Sequence, residues 1–569
     1  MHVQEKQKSD LFIKSGIFCI KAAGNPYKIG FQHGNLLKEY TEKGVYKFFS
    51  KYIDDLIKSD RRTHFLPVSA LFSKFIKTKS QKFIQNIPKE IKDEIRGLCD
   101  ATGMNYKKAL HSFVFPETIC YLISKFSGKR FALKTHLSGS ALLGCTSIIA
   151  SSEATESGEL IHARNFDFLG VGYWEKYPLV SYIFPDDGFS YISVSSAGIV
   201  GGVVTGINEQ EISYAVHQNY TDEYCENNLP ILALGTLILK YADNLDKAKE
   251  IILENKSTSG WSIVISDNKT KEAFIAEICG NDVNFRYMEN DFLLCTNSFI
   301  SPEFHEKEII INPLLNLSSN SRYQRLNQLI REHYNFISPA ICAKFLGDRY
   351  DITSEKERIF GYSVSQNFTI SSVIFAPERK SFWVASGITP VCNYDYIPFS
   401  FDYNTSKTLE KPVLEGTIFK NNNLKESINL IIQAHETYEN KDYKKSFELL
   451  NEAKKLCGTK EPTIFFLCGL VCLKMNEYLK SLDLLQTAYD NELDVYKSGV
   501  IKLWLGRVMD LLGDRNKALK QYRYVRQMNK DVYGDIIELA YEGLKNPYKK
   551  KYIKNINLNI CNGEEITVQ

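Results

Sequence analysis

The 569-residue sequence predicts an α+β layered domain followed by an all-α domain of helical hairpins, and three changes of texture carry that prediction. Residues 1 to about 140 read as mostly helical, with Ile91, Ile95, Leu98 and Cys99 on one face. From Cys145 to about residue 400 the chain turns to short β-branched and aromatic runs with turns between them. These runs are Thr146 to Ala150, Val180 to Phe184, Tyr191 to Val194, Trp261 to Ser266, Ala273 to Ile278, Phe292 to Cys295, Ser371 to Phe375 and Phe382 to Ala385. Helical stretches near 229–254 and 322–346 interrupt them, an order that favours α+β layers over a regular βαβ alternation. Residues 401–424, with Asn421-Asn422-Asn423, read as a linker.

The third texture is a repeat. Ala434, Ser446 and Ala453 surround the turn Lys441-Asp442-Tyr443, and the frame recurs as Gly469, Ser481 and Ala488 around Asn476-Glu477-Tyr478. Gly506 and Ala518 repeat it around Gly513-Asp514-Arg515, with spacings of 35 (Ala434 to Gly469) and 37 (Gly469 to Gly506). Small residues at these places let two antiparallel helices approach and let hairpins stack. Residues 425–548 thus resemble tetratricopeptide repeats, and 549–569, opening with Lys549-Lys550-Lys551, read as a solvated tail.

Bulk properties exclude several classes. A net charge of +3, from 70 basic and 67 acidic residues, offers no global field for nucleic acid or anionic membrane. The 13 cysteines form no regular framework, which suggests reduced thiols. The opening MHVQEKQKSD lacks the apolar stretch of a signal peptide, and no run suits a membrane span, so a cytoplasmic location is expected. Gly198-Ile199-Val200-Gly201-Gly202 suits a tight turn better than a dinucleotide fingerprint, and Cys468 and Cys472 suit core thiols better than zinc ligands. No P-loop, HExxH or EF-hand pattern occurs, so no cofactor and no metal are expected.

The chemistry concentrates at Gly144-Cys145-Thr146-Ser147. A glycine before a cysteine frees the backbone for attack by the thiol on its own upstream carbonyl. Cleavage there leaves Cys145 as a new N-terminus, whose α-amine (pKa about 7.7–8.0) can take the thiol proton without a histidine. Arg164 and Asp167 can flank that terminus, the cation favouring the thiolate and the carboxylate holding the amine. Asn219 and Asn297 follow apolar segments and can donate to an oxyanion, and Arg322 can tie the site together. His33 and His162 lie near these segments but read as structural histidines.

In order, GCTS, HARNFDF, GINEQEISYAVHQNY, CTNSF and SNSRYQR resemble the N-terminal-nucleophile cysteine hydrolases, and within them the acyl-coenzyme A:6-aminopenicillanate acyltransferase type, peptidase family C45. Gly24 to Gly34 resembles the start of that type, and the resemblance spans roughly residues 16–395. It implies a four-layer αββα fold, with 1–144 as pro-segment or small subunit and 145–400 as the catalytic region. It implies Cys145 as nucleophile, Arg164 and Asp167 as its support, oxyanion contacts at Asn219 (with Gln218 as the rival) and Asn297, and Arg322 as the site arginine. The expected activity is a self-processing cysteine amidohydrolase or acyltransferase acting on a linear non-peptide amide through a thioester. A protein partner on the repeats is a further expectation. The alternatives are a papain-like protease with His217 as base, or a non-catalytic scaffold built on the repeats.

Overall fold

Two β-sheets stacked face to face form the centre of the strand-rich domain in the computed structural model, which describes residues 9–49, 52, 66–126, 144–309, 313–401, 412–417, 422–561 and 563–565. The larger sheet has nine strands in the order β1 (Asp10–Lys14), β2 (Ile17–Gly24), β5 (Pro178–Pro185), β6 (Tyr191–Ser196), β7 (Thr205–Asn208), β8 (Ile212–Gln218), β9 (Gly260–Asp267), β10 (Glu272–Cys279) and β11 (Asp282–Tyr287). The smaller runs β12 (Phe292–Cys295), β3 (Gly144–Ser152), β4 (Gly158–Asp167), β15 (Thr369–Ala376), β16 (Ser381–Ala385) and β17 (Tyr396–Ser400). A short hairpin of β13 (Tyr350–Asp351) and β14 (Lys356–Glu357) stands apart from both.

The period-2 alternation of each strand feeds two different cores. In β8, β9 and β10, Tyr214, Ile263, Ile265, Phe274 and Ile278 face outward to helices that include Lys89–Thr102, Phe115–Phe126 and Ile231–Tyr241. Ala215, Val264 and Ile275 face the other way, against Ile149 and Leu160 of the smaller sheet. On that sheet's far side Ile148, Ile161, Ala163 and Ile374 pack under the helices Pro313–Glu332 and Pro339–Leu346. Helix, sheet, sheet and helix therefore stack in four layers, and the strands between them are buried on both faces, with polar side chains of β3, β4 and β8 such as Ser147, Arg164 and His217 buried among the apolar ones.

Each of the eight runs expected as strands lies in a strand, and the interrupting helices occupy 231–254 and 313–346. The first residues differ from the helical expectation. β1 and β2 form an edge of the larger sheet, with β2 parallel to β5, because Ile17, Cys19 and Ile20 need burial on both faces. Helix begins at Asn422, inside the stretch read as linker, and Leu414 pairs with Tyr396 on the catalytic domain; 402–411 and 418–421 lie outside the described residues.

The C-terminal domain stacks the helices Asn422–Glu439, Tyr443–Cys457, Pro462–Lys474, Tyr478–Asn491, Val495–Leu511, Arg515–Arg526 and Lys530–Lys545 as successive hairpins. Its small residues sit where helices cross. A Cβ on Gly469 would lie 2.9 Å from Leu485, one on Gly506 2.6 Å from Tyr522, and Ser446 Oγ donates to Ala434 O at 2.9 Å. The stretch read as a tail is instead packed: Ile553, Ile556, Leu558 and Ile560 join the apolar core of the hairpins, although Lys549, Lys550 and Lys551 are exposed. The spacing of these isoleucines and leucine supplies enough apolar surface to outweigh the lysine run before them.

Candidate active site

Register decides which residues surround Cys145. In the β3–β4 pair Gly144 stands opposite Asp167, Cys145 opposite Phe166, and Ser147 opposite Arg164. Facing residues share a face, so Cys145 and Arg164 point between the sheets while Gly144 and Asp167 point to the outer helices. Arg164 and Asp167 thus flank the Gly144–Cys145 peptide from opposite sides.

On the inner side Arg164 is 1% exposed and its guanidinium donates to Val204 O, Thr205 Oγ1 and Val216 O. Its Nη2 also lies 3.5 Å from Cys145 Sγ. Three acceptors hold the fork, so its charge is fixed in direction as well as place. The thiol is nevertheless pushed up, because burial outweighs the pull of Arg164. A cavity of about 1060 Å³ opens from the thiol, lined by Tyr46, Phe48, Phe113, Phe168, Trp174 and Trp261 among others. Gln218 borders it with Cys145, donating from Nε2 to Cys120 Sγ at 2.9 Å.

On the outer side Arg322, within Pro313–Glu332, donates through Nη1 to Cys145 O (2.6 Å) and Thr146 Oγ1 (2.9 Å). Its Nη2 donates to Asn297 Oδ1 at 2.9 Å, and the same oxygen accepts from Cys145 N at 2.7 Å. Two converging donors fix which end of the Asn297 amide is oxygen. Its Nδ2 is given to Gln218 O at 2.9 Å, so in the uncut chain Asn297 holds the Cys145 nitrogen rather than donating to an oxyanion. Asn219 does not join this group: its Nδ2 donates to Ser262 Oγ at 2.8 Å, and the residue bordering the cavity beside Cys145 is Gln218.

Asp167 accepts from Thr369 Oγ1 at 2.6 Å through Oδ1, while Oδ2 has no hydrogen-bond partner. Burial pushes the carboxyl up to about 7, against the opposing pull of Arg322, Thr369 and Arg164. A Cβ on Gly144 would lie 2.7 Å from that free Oδ2. Space beside Asp167, rather than a left-handed backbone, is what demands glycine here.

The sequence reading missed Thr369 and Ser319. Ser319 Oγ accepts from Asn297 N at 3.0 Å and donates to Thr296 Oγ1 at 3.0 Å. Its signal was present, since Ser319 precedes Arg322 by one helical turn. Thr369 had none, because its role depends on β15 lying beside β4. The histidines take structural places. His217 Nε2 lies 2.8 Å from Ser147 Oγ, and burial, with Arg164 and Arg322, holds the ring well below its ordinary pKa. His33 accepts from Gly198 N at 3.0 Å and His162 pairs with Ser213 Oγ at 2.6 Å. Among the described residues no group of three or more His, Cys, Asp or Glu has metal-binding geometry, and no helix is long and apolar enough to cross a membrane.

Residues 154–389 match the family model of acyl-coenzyme A:6-aminopenicillanic acid acyl-transferase. The match begins nine residues past Cys145 and takes in Arg164, Asp167, Asn219, Asn297 and Arg322. It supports an N-terminal-nucleophile hydrolase or acyltransferase reading of the strand-rich domain. An uncharacterized protein of Archaeoglobus fulgidus is 22% identical over 351 residues, covering 57% of this chain and 56% of its own length. Protein dcd1B of Dictyostelium discoideum is 24% identical over 267 residues, covering 45% of this chain and 49% of its own. The chain therefore spans about half the length of the curated relatives it matches. A solved structure, the Caenorhabditis elegans N-acylethanolamine-hydrolyzing acid amidase (NAAA) ortholog, is 19% identical with a TM-score of 0.30, covering 41% of this chain and 93% of that one.

Proposed function

We propose that this chain is a self-processing cysteine amidohydrolase or acyltransferase that takes an apolar acyl group from a linear, non-peptide amide onto Cys145. The observation that carries the reading is the placement of one residue. Asn297 Oδ1 holds the Cys145 nitrogen, Arg322 holds its carbonyl, and its thiol opens on an aromatic cavity.

In processing, the thiol attacks the Gly144 carbonyl carbon; the C–N bond breaks and the Cys145 nitrogen takes a proton. The thioester between Gly144 and Cys145 is then hydrolysed, releasing a Gly144 carboxylate and restoring the thiol. The freed amine remains within reach of the Asn297 oxygen that held it as an amide. It serves as base for the thiol in the next attack, now on a substrate amide whose acyl chain fills the aromatic cavity. A papain-like pair is disfavoured because it needs an imidazolium, and the His217 ring is kept neutral by burial and spent on Ser147.

The test is hydrolysis of N-acyl amides of increasing chain length, with mass spectrometry of the acyl-enzyme. Turnover that rises with chain length, and an acyl adduct on Cys145 lost in Cys145→Ala, are expected. Turnover undiminished in Cys145→Ala would rule the proposal out.

A further inference from the structure

A second recess, of about 820 Å³, lies at the outer side of the Gly144–Cys145 peptide and is shared between the two domains. Gly144, Asn297 and Arg322 line it from the catalytic side, Phe360 and Tyr362 from the loop after β14, and Lys497 from the repeat helix Val495–Leu511. The repeats also hold that loop. Ile359 N donates to Glu461 Oε1 at 2.7 Å, Tyr362 Oη donates to Asp494 Oδ2 at 3.0 Å, and the Ile359 and Phe360 side chains belong to the apolar core of the hairpins.

Its polar inventory is uneven. Arg322 is spent on Cys145 O, Thr146 and Asn297. The lining acid, Glu308, accepts from Asn316 at 3.3 Å and stands 3.4 Å from His305 Nδ1, and burial pushes its carboxyl up to about 7. Lys497 is half-buried and donates to Phe360 O at 3.2 Å, with its Nζ 5.1 Å from the Tyr362 ring centre. The nearest acid in its own helix turn, Asp494, is occupied by Tyr362 Oη and by the Lys497 backbone N–H (2.8 Å). Among the described residues no carboxylate forms an ion pair with Lys497. An ammonium has three donors, and one carbonyl uses one of them.

We infer that Lys497 is a specificity-determining residue: the repeat domain lends its ammonium to the recess beside Cys145, where it pairs with an anionic group, carboxylate or phosphate, on the amine half of the substrate. This rests on the amide-cleaving reading above, the aromatic cavity taking the hydrocarbon and the recess of mixed lining, with Lys497 as its cation, taking the other half. A charge-assisted contact in a partly desolvated recess selects against neutral competitors by about tenfold.

The experiment uses the full chain and three amides with one acyl group: N-decanoylglycine, N-decanoyl-O-phosphoethanolamine and neutral N-decanoylethanolamine. Steady-state kinetics are paired with calorimetric binding. The wild type is expected to favour at least one anionic amide over the neutral one by about tenfold, through KM. Lys497→Met removes that advantage while the neutral amide stays within about twofold, and Lys497→Arg retains it. The favoured anion identifies the source of the charge. Equal effects on anionic and neutral amides, or no effect on either, overturn the inference. If no amide is turned over but Lys497→Met still abolishes preferential anion binding, the hydrolase reading falls and the assignment of the recess stands.

Discussion

On the inner face of β3, Cys145 borders an aromatic cavity built from residues 46–261, with Arg164 beside the thiol, whereas on the outer face Gly144 and Arg322 border a recess of mixed lining that Lys497 of the C-terminal helices also reaches. Neighbouring residues of one strand face opposite ways, so a single peptide bond stands between the two. The inner face fixes a cation on rigid strands. The outer face relies on one helix and on a domain contact. The two faces are therefore expected to fail differently when altered.

The largest break is expected on the outer face. Arg322→Met removes four hydrogen bonds and leaves Asp167 buried without its strongest opposing charge. Self-cleavage should slow at least a hundredfold, read on denaturing gels, with a stability loss of about 3 kcal/mol in urea unfolding. Adding Asp167→Asn should restore part of the stability but not the cutting rate. Next comes Gly144→Ala, whose Cβ collides with Asp167 Oδ2. Cutting should slow about tenfold or more, while chains already cut keep wild-type turnover, because residue 144 is no longer bonded to the nucleophile. On the inner face, Trp174→Ala enlarges the aromatic cavity. It should move the preferred acyl length upward by a few methylenes and lower kcat/KM for short chains about tenfold, leaving cutting unaffected.

The smallest effect is one of pH. Asp167 has its folded pKa raised to about 7 from 3.8, so the folded state holds its proton more tightly than the unfolded chain. Its contribution to stability is complete below about pH 3.8 and is lost as pH rises through about 7. In the uncut Cys145→Ala chain, Asp167→Asn should therefore reduce the fall in urea midpoint between pH 5 and pH 8. Glu117, raised to about 7 by burial, contributes in the same direction and is unchanged by the substitution.

Legibility in the sequence followed the same division. Strands buried on both faces announce themselves as apolar runs, which is why the centre of the fold could be read from β-branched and aromatic segments. Cys145, Arg164 and Asp167 lie within one hairpin, so their mutual placement follows from local register. Asn297 and Arg322 were legible as residues, yet the role of Asn297 toward the Cys145 nitrogen depends on Arg322 being on the other side of it. Asn219 and Gln218 differ by one residue, with Gln218 the last residue of β8 and Asn219 just past it, and spacing alone cannot choose between them. Thr369, the packed C-terminal segment and Lys497 depend on elements hundreds of residues apart, and nothing local marks them.

The central claim is that the Gly144–Cys145 bond is cut to make the nucleophile, and the most direct measurement is N-terminal sequencing of the purified active protein. The account predicts a second chain beginning Cys145-Thr146-Ser147-Ile148, absent from Cys145→Ala. An active preparation that runs solely as the intact 65.1 kDa chain would contradict it.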